Sequence, residues 1–381
     1  MTYFIPVNEP LLDGNEAKYL QQCIETGWIS SEGPFVQQFE EKMAQYIGRK
    51  YGIAVANGTV ALDLAIEALP LKEGDEVIIP TFTIISCAAP LVRRGIVPIC
   101  VDCDPETFVM QAEGVKSAIT ENTRAIMPVH IYGLPVDMDP ILKLAQQHDL
   151  FIIEDAAEAH GLTYKNQPCG SFGDLSIFSF YPNKHVTTGE GGMVLTDNKE
   201  LAQRCRSLRN LCFNERQRFV HEELGFNYRM SNVQAALGCA QLERLDEFVS
   251  RKHSLGKNYT RLFKPFEEYL QLPRAQTPFA QNVYWVYPLV LKDTVPIDAH
   301  EFMQRLGTRG IGTRPFFYPM HRQPVFLKQG LFQEVSLPYA EHIAERGFYI
   351  PSGLALTAEQ QERVANEISS VLSELGCTSR S

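Results

Sequence analysis

No apolar run in the sequence approaches the roughly 20 residues needed to span a bilayer. Its first residues, MTYFIPVNEP, lack both a basic n-region and an apolar h-region, so they do not read as a signal peptide. Both absences lead to the expectation of a cytoplasmic protein with no membrane partner. Positive charge is also scarce. The 35 Lys and Arg are outnumbered by 45 Asp and Glu, and the net charge of −10 argues against nucleic-acid partners. Cysteines occur in no recognisable framework: there are nine, an odd count, and only Cys100 and Cys103 fall in a C-x-x-C spacing. No second ligand pair follows at the spacing that a zinc site needs, so no metal is expected and buried free thiols are. Internal repeats and low-complexity tracts are lacking too.

What is present is an alternation of two periods. Phe35, Phe39, Met43 and Ile47 recur at i+4 and make a helix face that Gly48 ends. NGTVALDLAIEAL reads as a second helix. Short β-branched runs follow: EVIIP, VPICVD, RAIMPVHI, LFIIED, LSIFSF and GMVLTD, with helical stretches such as MDPILKLAQQHD and KELAQRCRSLRN between several of them. Near-continuous apolar strands alternating with helices predict an α/β fold, a mostly parallel sheet covered on both faces. MSNVQAALGCAQLERLDEFV reads as one long helix with Ser231 as N-cap. Beyond it the strands become sparser (VYWVYPLVL, IGTRPFF), and a last helix opens on a capping box formed by Thr357 and Gln360. A chain of 381 residues is too long for one small core. The expected division is a large α/β domain over 1–245, including an N-terminal arm, and a smaller α+β domain over 246–381.

Ligands of open α/β sheets sit beyond the carboxyl ends of the strands. LFIIED puts Asp155 at such an end, with Glu154 pointing the other way because side chains alternate along a strand. Lys184 follows the next strand, in FSFYPNKHVTTGEGG, and Ser179 precedes it by five residues. Gly58 and Thr59 open a helix whose N–H groups and dipole suit a phosphate. Together these parts describe a holder for pyridoxal phosphate (PLP). The helix start and Ser179 grip the phosphate, Asp155 keeps the pyridine nitrogen protonated, and Lys184 forms the Schiff base and shuttles protons. On this reading the glycine-rich turn after the lysine leaves room for it to move.

IEDAAEAHG, SFYPNKHVTTGEGG and GFNYRMSNVQAALGCAQLE resemble, in order, the signature blocks of the DegT/DnrJ/EryC1/StrS sugar aminotransferases, and the similarity extends from TGWISSEGPFVQQFE to TRPFFYPMHRQP. The resemblance implies PLP-dependent transferase fold type I (aspartate-aminotransferase-like) and a homodimer with shared active sites. It also implies that Glu158 contacts the ring hydroxyl, where many relatives have glutamine, and that Asn227 reaches the neighbouring subunit's cofactor. The residue on the cofactor ring is usually aromatic; here the position is Ile84, so either an aliphatic chain packs there or Phe82 moves in. A subset of the family replaces the lysine with histidine and dehydrates its sugar, and Lys184 favours amine transfer.

Within the family the blocks are most similar to the perosamine synthase branch. That similarity implies transfer of the amine of L-glutamate, by way of pyridoxamine phosphate, to C4 of a nucleotide-linked 4-keto-6-deoxy sugar for surface polysaccharide or O-antigen. Trp28, Ser30, His185, Arg229, Arg314, Tyr318 and His321 are candidate substrate contacts. Each also has a structural reading, His185 as packing beside the lysine and Arg229 as an ion pair. Arg216, Arg218 and His221 make a basic cluster that suits a diphosphate or a solvated loop. Two further readings stand beside the first: C3 or C4 amination of a dTDP- or UDP-linked sugar, and a non-catalytic protein that binds PLP as a structural or sensing group.

Overall fold

The structure is a computed structural model that describes residues 3–214 and 216–378. Strands β1 (Tyr51–Val55), β2 (Glu76–Pro80), β3 (Val97–Val101), β4 (Thr123–Ile126), β5 (Phe151–Asp155), β6 (Leu175–Ser179) and β7 (Gly192–Thr196) form one sheet. Their order is β1-β7-β6-β5-β4-β2-β3. β7 runs antiparallel to both neighbours, and the pairs from β6 across to β3 are parallel. Val77, Ile78, Ile79, Ile152, Ile153 and Ile177 are buried, as a sheet covered on both faces requires. The expected strands are thus present, with β1 in addition. YGIAV carries little strand signal of its own, because a glycine interrupts a run of only five residues. Gly52 is needed there, since a Cβ would come within 2.6 Å of the Glu40 carbonyl oxygen.

A second sheet is built from β8 (Leu270–Gln271), β9 (Tyr287–Leu291), β10 (Arg314–Pro315) and β11 (Gly347–Ile350), in the order β8-β9-β11-β10 and antiparallel throughout. It has its own apolar cluster, to which the helices Leu245–Phe263, Ala299–Thr308 and Ala358–Glu374 contribute Tyr259, Phe302 and Ile368. Ile5, from the N-terminal segment, packs in this cluster. Ile5 bridges Ile311, its N–H and carbonyl bond Gly310 and Gly312, and Asn8 Nδ2 donates to the Pro182 carbonyl at 2.9 Å.

The capping boxes form at Ser231 with Gln234 and at Thr357 with Gln360. The long helix after Ser231, however, is two: Asn232–Leu242 and Leu245–Phe263. The break falls where tertiary contacts take hold of the chain. Glu243 accepts hydrogen bonds from Asn15, Tyr19 and Lys42, and Arg244 pairs with Asp13 and Glu247. Local propensity alone favours continuity; the contacts override it. All nine cysteines are free, eight of them buried.

The loop feeding β6 is held by Arg49, whose side chain is buried. Its guanidinium donates to the carbonyls of Gly170 (3.1 Å), Phe172 and Gly173 (3.1 Å) and to Asp197 (2.9 Å). Gly170 keeps the Ser176 hydroxyl and the half-exposed Asp197 keeps the Lys50 N–H, but Arg49→Ala would take the donor from the Phe172 and Gly173 carbonyls, and should cost about 3 kcal/mol of unfolding free energy. Denaturant unfolding of the full chain measures it; a loss below about 1 kcal/mol would mean that water replaces the guanidinium.

Candidate active site

At the carboxyl edge of the large sheet, a cavity of about 700 Å³ lies between the ends of β5 and β6, the helix Gly58–Ala68 and the second sheet. Gly58, Thr59, Ile84, Asp155, Glu158, Ser179 and Lys184 all line it. β5 supplies its carboxylate by alternation. Asp155 turns to the cavity, its Oδ1 accepting from the Ala157 N–H (3.0 Å) and its Oδ2 from the Cys87 thiol (3.4 Å). Glu154 turns the other way and accepts from the N–H groups of Gly170 (2.5 Å) and Phe172 (2.8 Å) and from His130 Nε2 (2.8 Å). His130 and Glu154 lie with Cys169 at metal-ligand separations. Yet His130 Nδ1 accepts the Val136 N–H, which puts the ring proton on Nε2, and the cluster is a hydrogen-bond network.

The helix start is made by Asn57, the N-cap residue, whose side chain accepts the Val60 N–H at 3.0 Å. The first N–H groups of a helix have no partner within it, and here they belong to two cavity residues, Gly58 and Thr59. Gly58 sits against β6 so closely that a Cβ would stand 2.7 Å from Ser179 Cβ. Backbone donors, the Ser179 hydroxyl and the Thr59 hydroxyl, itself 2.8 Å from Ser86 Oγ, are therefore gathered at one end of the cavity. Gly192, after the lysine, serves the same approach. A Cβ on Gly192 would lie 2.4 Å from the Asn57 carbonyl oxygen, so a glycine there lets β7 begin beside the helix start, while Gly189 supplies the turn's φ of +79°. Room for the lysine comes from the cavity, not from that turn.

Lys184 Nζ lies 3.6 Å from Glu158 Oε1 and 3.9 Å from the centroid of the Trp285 indole. Burial lowers the Lys184 amine from the usual lysine range, against the opposing pull of Glu158 and Asp155. Burial raises Asp155, and raises Glu158 to about 7 even with Lys184 beside it. The other Glu158 oxygen accepts the Tyr132 N–H at 2.9 Å. Ile84 faces the cavity, whereas Phe82 is fully buried among Phe108, Tyr132, Phe316 and Phe317.

Residues 10–369 match the DegT/DnrJ/EryC1/StrS aminotransferase family. The chain is 40% identical to the GDP-perosamine synthase of Escherichia coli O157:H7, over 97% of this chain and 99% of that one. It is also 40% identical to the GDP-perosamine synthase of Caulobacter vibrioides, over 97% and 98%. Among solved structures, DesV of S. venezuelae superposes with a TM-score of 0.88 at 31% identity, covering 97% of this chain and 99% of that one. The chain belongs to the DegT/DnrJ/EryC1/StrS aminotransferase family. It is a PLP-dependent enzyme, and the cavity fits that cofactor. A gathered set of anion donors, a buried carboxylate and a buried amine line one space that falls within the roughly 300–1,000 Å³ of small-molecule sites.

Other expected contacts of this aminotransferase lie elsewhere. His185 is buried behind the lysine, its Nδ1 against the His160 carbonyl at 3.1 Å, and faces away from the cavity. His321 is also buried, tied to Thr81 Oγ1 (2.7 Å) and Glu341 Oε1 (2.9 Å), where it joins the loop after β2 to the helix Pro338–Arg346. Arg229 donates to Asn210 Oδ1, without an ion pair among the described residues. Trp28 is half exposed, and the carbonyls of Trp28 and Ser30 accept from Asn232. Arg314, Tyr318 and Asn227 are exposed, outside the cavity of their own chain. Trp285, Tyr349 and Phe317, from the second sheet and its approaches, line it and were not read from the sequence. A tryptophan in a chain that has only two was the available signal.

The Glu158 carboxyl gives a pH test on cofactor-free protein. Its folded pKa is raised, so between about pH 4.5 and 7 the native state holds a proton that the unfolded chain has lost, and stability falls as pH rises through that window. Glu158→Gln should flatten this fall, a difference of up to about 3 kcal/mol, in thermal or urea unfolding followed from pH 5 to 8. An unchanged slope would place the titrating group elsewhere.

Proposed function

We propose that the protein transfers the amino group of L-glutamate to C4 of a nucleotide-linked 4-keto-6-deoxy sugar, GDP-linked as the names of its perosamine synthase relatives indicate. The observation that carries this reading is the 40% identity to GDP-perosamine synthases over 97% of the chain, joined to a lysine in the cavity where a dehydratase would have histidine. Bound PLP supplies an exchangeable aldehyde and an electron sink for the carbon that loses its proton.

The protein's residues supply the rest. With the cofactor bound, Lys184 would be the group that moves the proton between the substrate carbon and the cofactor's C4′ in both half-reactions. Burial lowers its pKa and so favours the neutral form, the form able to accept a proton. Asp155, fixed by Ala157 N–H and the Cys87 thiol, holds the ring nitrogen's proton, and a positive partner offsets the burial that otherwise raises its pKa. Glu158 would hold the ring hydroxyl, Ile84 would pack on the ring, and Gly58, Thr59 and Ser179 would hold the phosphate.

The active unit is a homodimer. Its support is a set of apolar side chains left exposed near the cavity and on the adjoining loop: Ile84, Tyr181, Phe219 (82% exposed) and Leu224 (90%). Asn227, exposed in its own chain, reaches the partner's cofactor, and Trp28, Ser30, Arg229, Arg314 and Tyr318 border the sugar's entry in the dimer. The division at 245/246 separates the cofactor-binding unit from the smaller one. The setting is the cytoplasm, in supply of amino sugar for surface polysaccharide such as O-antigen. No helix among the described residues is long and apolar enough to cross a membrane.

Glutamate should bleach the visible band of the holoenzyme, and GDP-, dTDP- and UDP-linked 4-keto-6-deoxy sugars, offered in parallel, should yield a 4-amino sugar fastest from the GDP form. Lys184→Ala should lose the band and at least about 10³-fold in turnover. An enzyme that glutamate leaves spectrally unchanged and that makes no amino sugar would end the proposal; preference for a dTDP or UDP sugar would overturn the GDP assignment.

A further inference from the structure

Trp285 is placed to do more than line the cavity. It lies just before β9, in the second sheet's unit, 101 residues from Lys184, and is only 4% exposed. Its indole meets the lysine's turn twice: Nε1–H donates to the Asn183 carbonyl at 2.8 Å, and the ring face carries Lys184 Nζ 3.9 Å from its centroid. Its own carbonyl accepts from Lys252 Nζ at 2.9 Å, and Lys252, buried in the helix Leu245–Phe263, also donates to the Ser352 carbonyl at 2.5 Å. Trp285 is thus held by its ring N–H and by its backbone carbonyl, and its face is presented to an amine that, among the described residues, has one other charged contact, Glu158 at 3.6 Å.

We propose that Trp285 is a positioning residue for Lys184: its ring face holds the ammonium by a cation–π contact whenever the amine is not bonded to the cofactor. An ammonium removed from water needs a replacement for its hydration shell, and an indole face is the best aromatic one. The contact favours the charged form, so it opposes burial and sets the pH at which Lys184 becomes neutral and able to attack or accept a proton. It also keeps Nζ beside the cavity while the donor or the sugar holds the cofactor. The proposal rests on the reading of Lys184 as the cofactor-linking lysine for its catalytic meaning, but the contact exists in the cofactor-free chain and is testable there.

The groups facing this pair are Asp155 and Glu158 from the end of β5, His160 and His185 behind the lysine's turn, Tyr132, Tyr349 from β11, and Lys252 beneath the indole carbonyl. With only two tryptophans in the chain, Trp28→Phe leaves Trp285 as sole indole emitter. In that cofactor-free protein, Trp285 emission should change across a step below the ordinary lysine range, and Lys184→Met should abolish the step. Any step due to Lys252 is identified by its loss in Lys252→Met. The second readout is the rate of PLP uptake against pH, followed by growth of the visible band. Trp285→Leu should move its midpoint down by about one pH unit, and Trp285→Phe, which keeps a ring face, by less. A purely structural role would scale the rate at every pH and leave the midpoint in place. The proposal fails if the emission step survives Lys184→Met, or if Trp285→Leu leaves the midpoint unmoved. Should Trp285→Leu not fold, the emission titration and Trp285→Phe still decide. Failure of glutamate to bleach the holoenzyme would strike the aminotransferase reading and leave this contact standing.

Discussion

The pairing of β5 with β6 is the constraint on which the rest depends. Asp155 lies opposite Ile177 in a parallel register, so Ser179 stands two residues further on the same side, and Lys184 emerges from the turn that follows. One register step would turn Asp155 into the sheet's other layer and bring Glu154 to the cavity, because the side-chain period is two. The opposite layer secures that register. There Glu154 accepts from Gly170 and Phe172, and Arg49 takes the carbonyls of Gly170, Phe172 and Gly173, so the loop feeding β6 is bonded from both sides. A structural carboxylate and a cavity carboxylate, adjacent in sequence, do separate work through one strand.

The cavity is also an electrostatic construction inside an acidic chain. Asp155, Glu158, His160, His185 and Lys252 are buried within it or directly behind it, and the Lys184 side chain is 9% exposed. Burial moves each toward its neutral form: the carboxyls up, the amines and imidazoles down, His160 to about 3 and Lys252 to about 7. Proton transfer in such a place meets little competition from water, and small changes in contact decide which group is charged.

How much of this was legible in the sequence follows from how local each cause is. Asp155 at the end of an apolar run, Lys184 before a glycine-rich turn and the helix start at Gly58 are local patterns, and the strands that carry them form as read. The breaks in the reading are tertiary. The helix after Ser231 divides because Asn15, Tyr19, Lys42 and Asp13, far away in sequence, seize Glu243 and Arg244. His321 looks like a pocket residue until Thr81 and Glu341 bracket it. His185 adjoins the lysine, yet the turn sends the two side chains apart. Trp285 is marked only by the rarity of tryptophan, since its partner lies on another element of another unit.

The first residues of the chain have a consequence of the same kind. Ile5 zips onto Ile311, the Val7 carbonyl takes the Ser352 N–H, and Asn8 bonds the carbonyl of Pro182, two residues before Lys184. Ser352 is also where Lys252 is anchored. Residues 5–8 are therefore a strap buckled across two units, with its buckle beside the reactive amine. Trimming it to tidy an expression plasmid would slacken the loop that aims the lysine, while leaving the large sheet untouched.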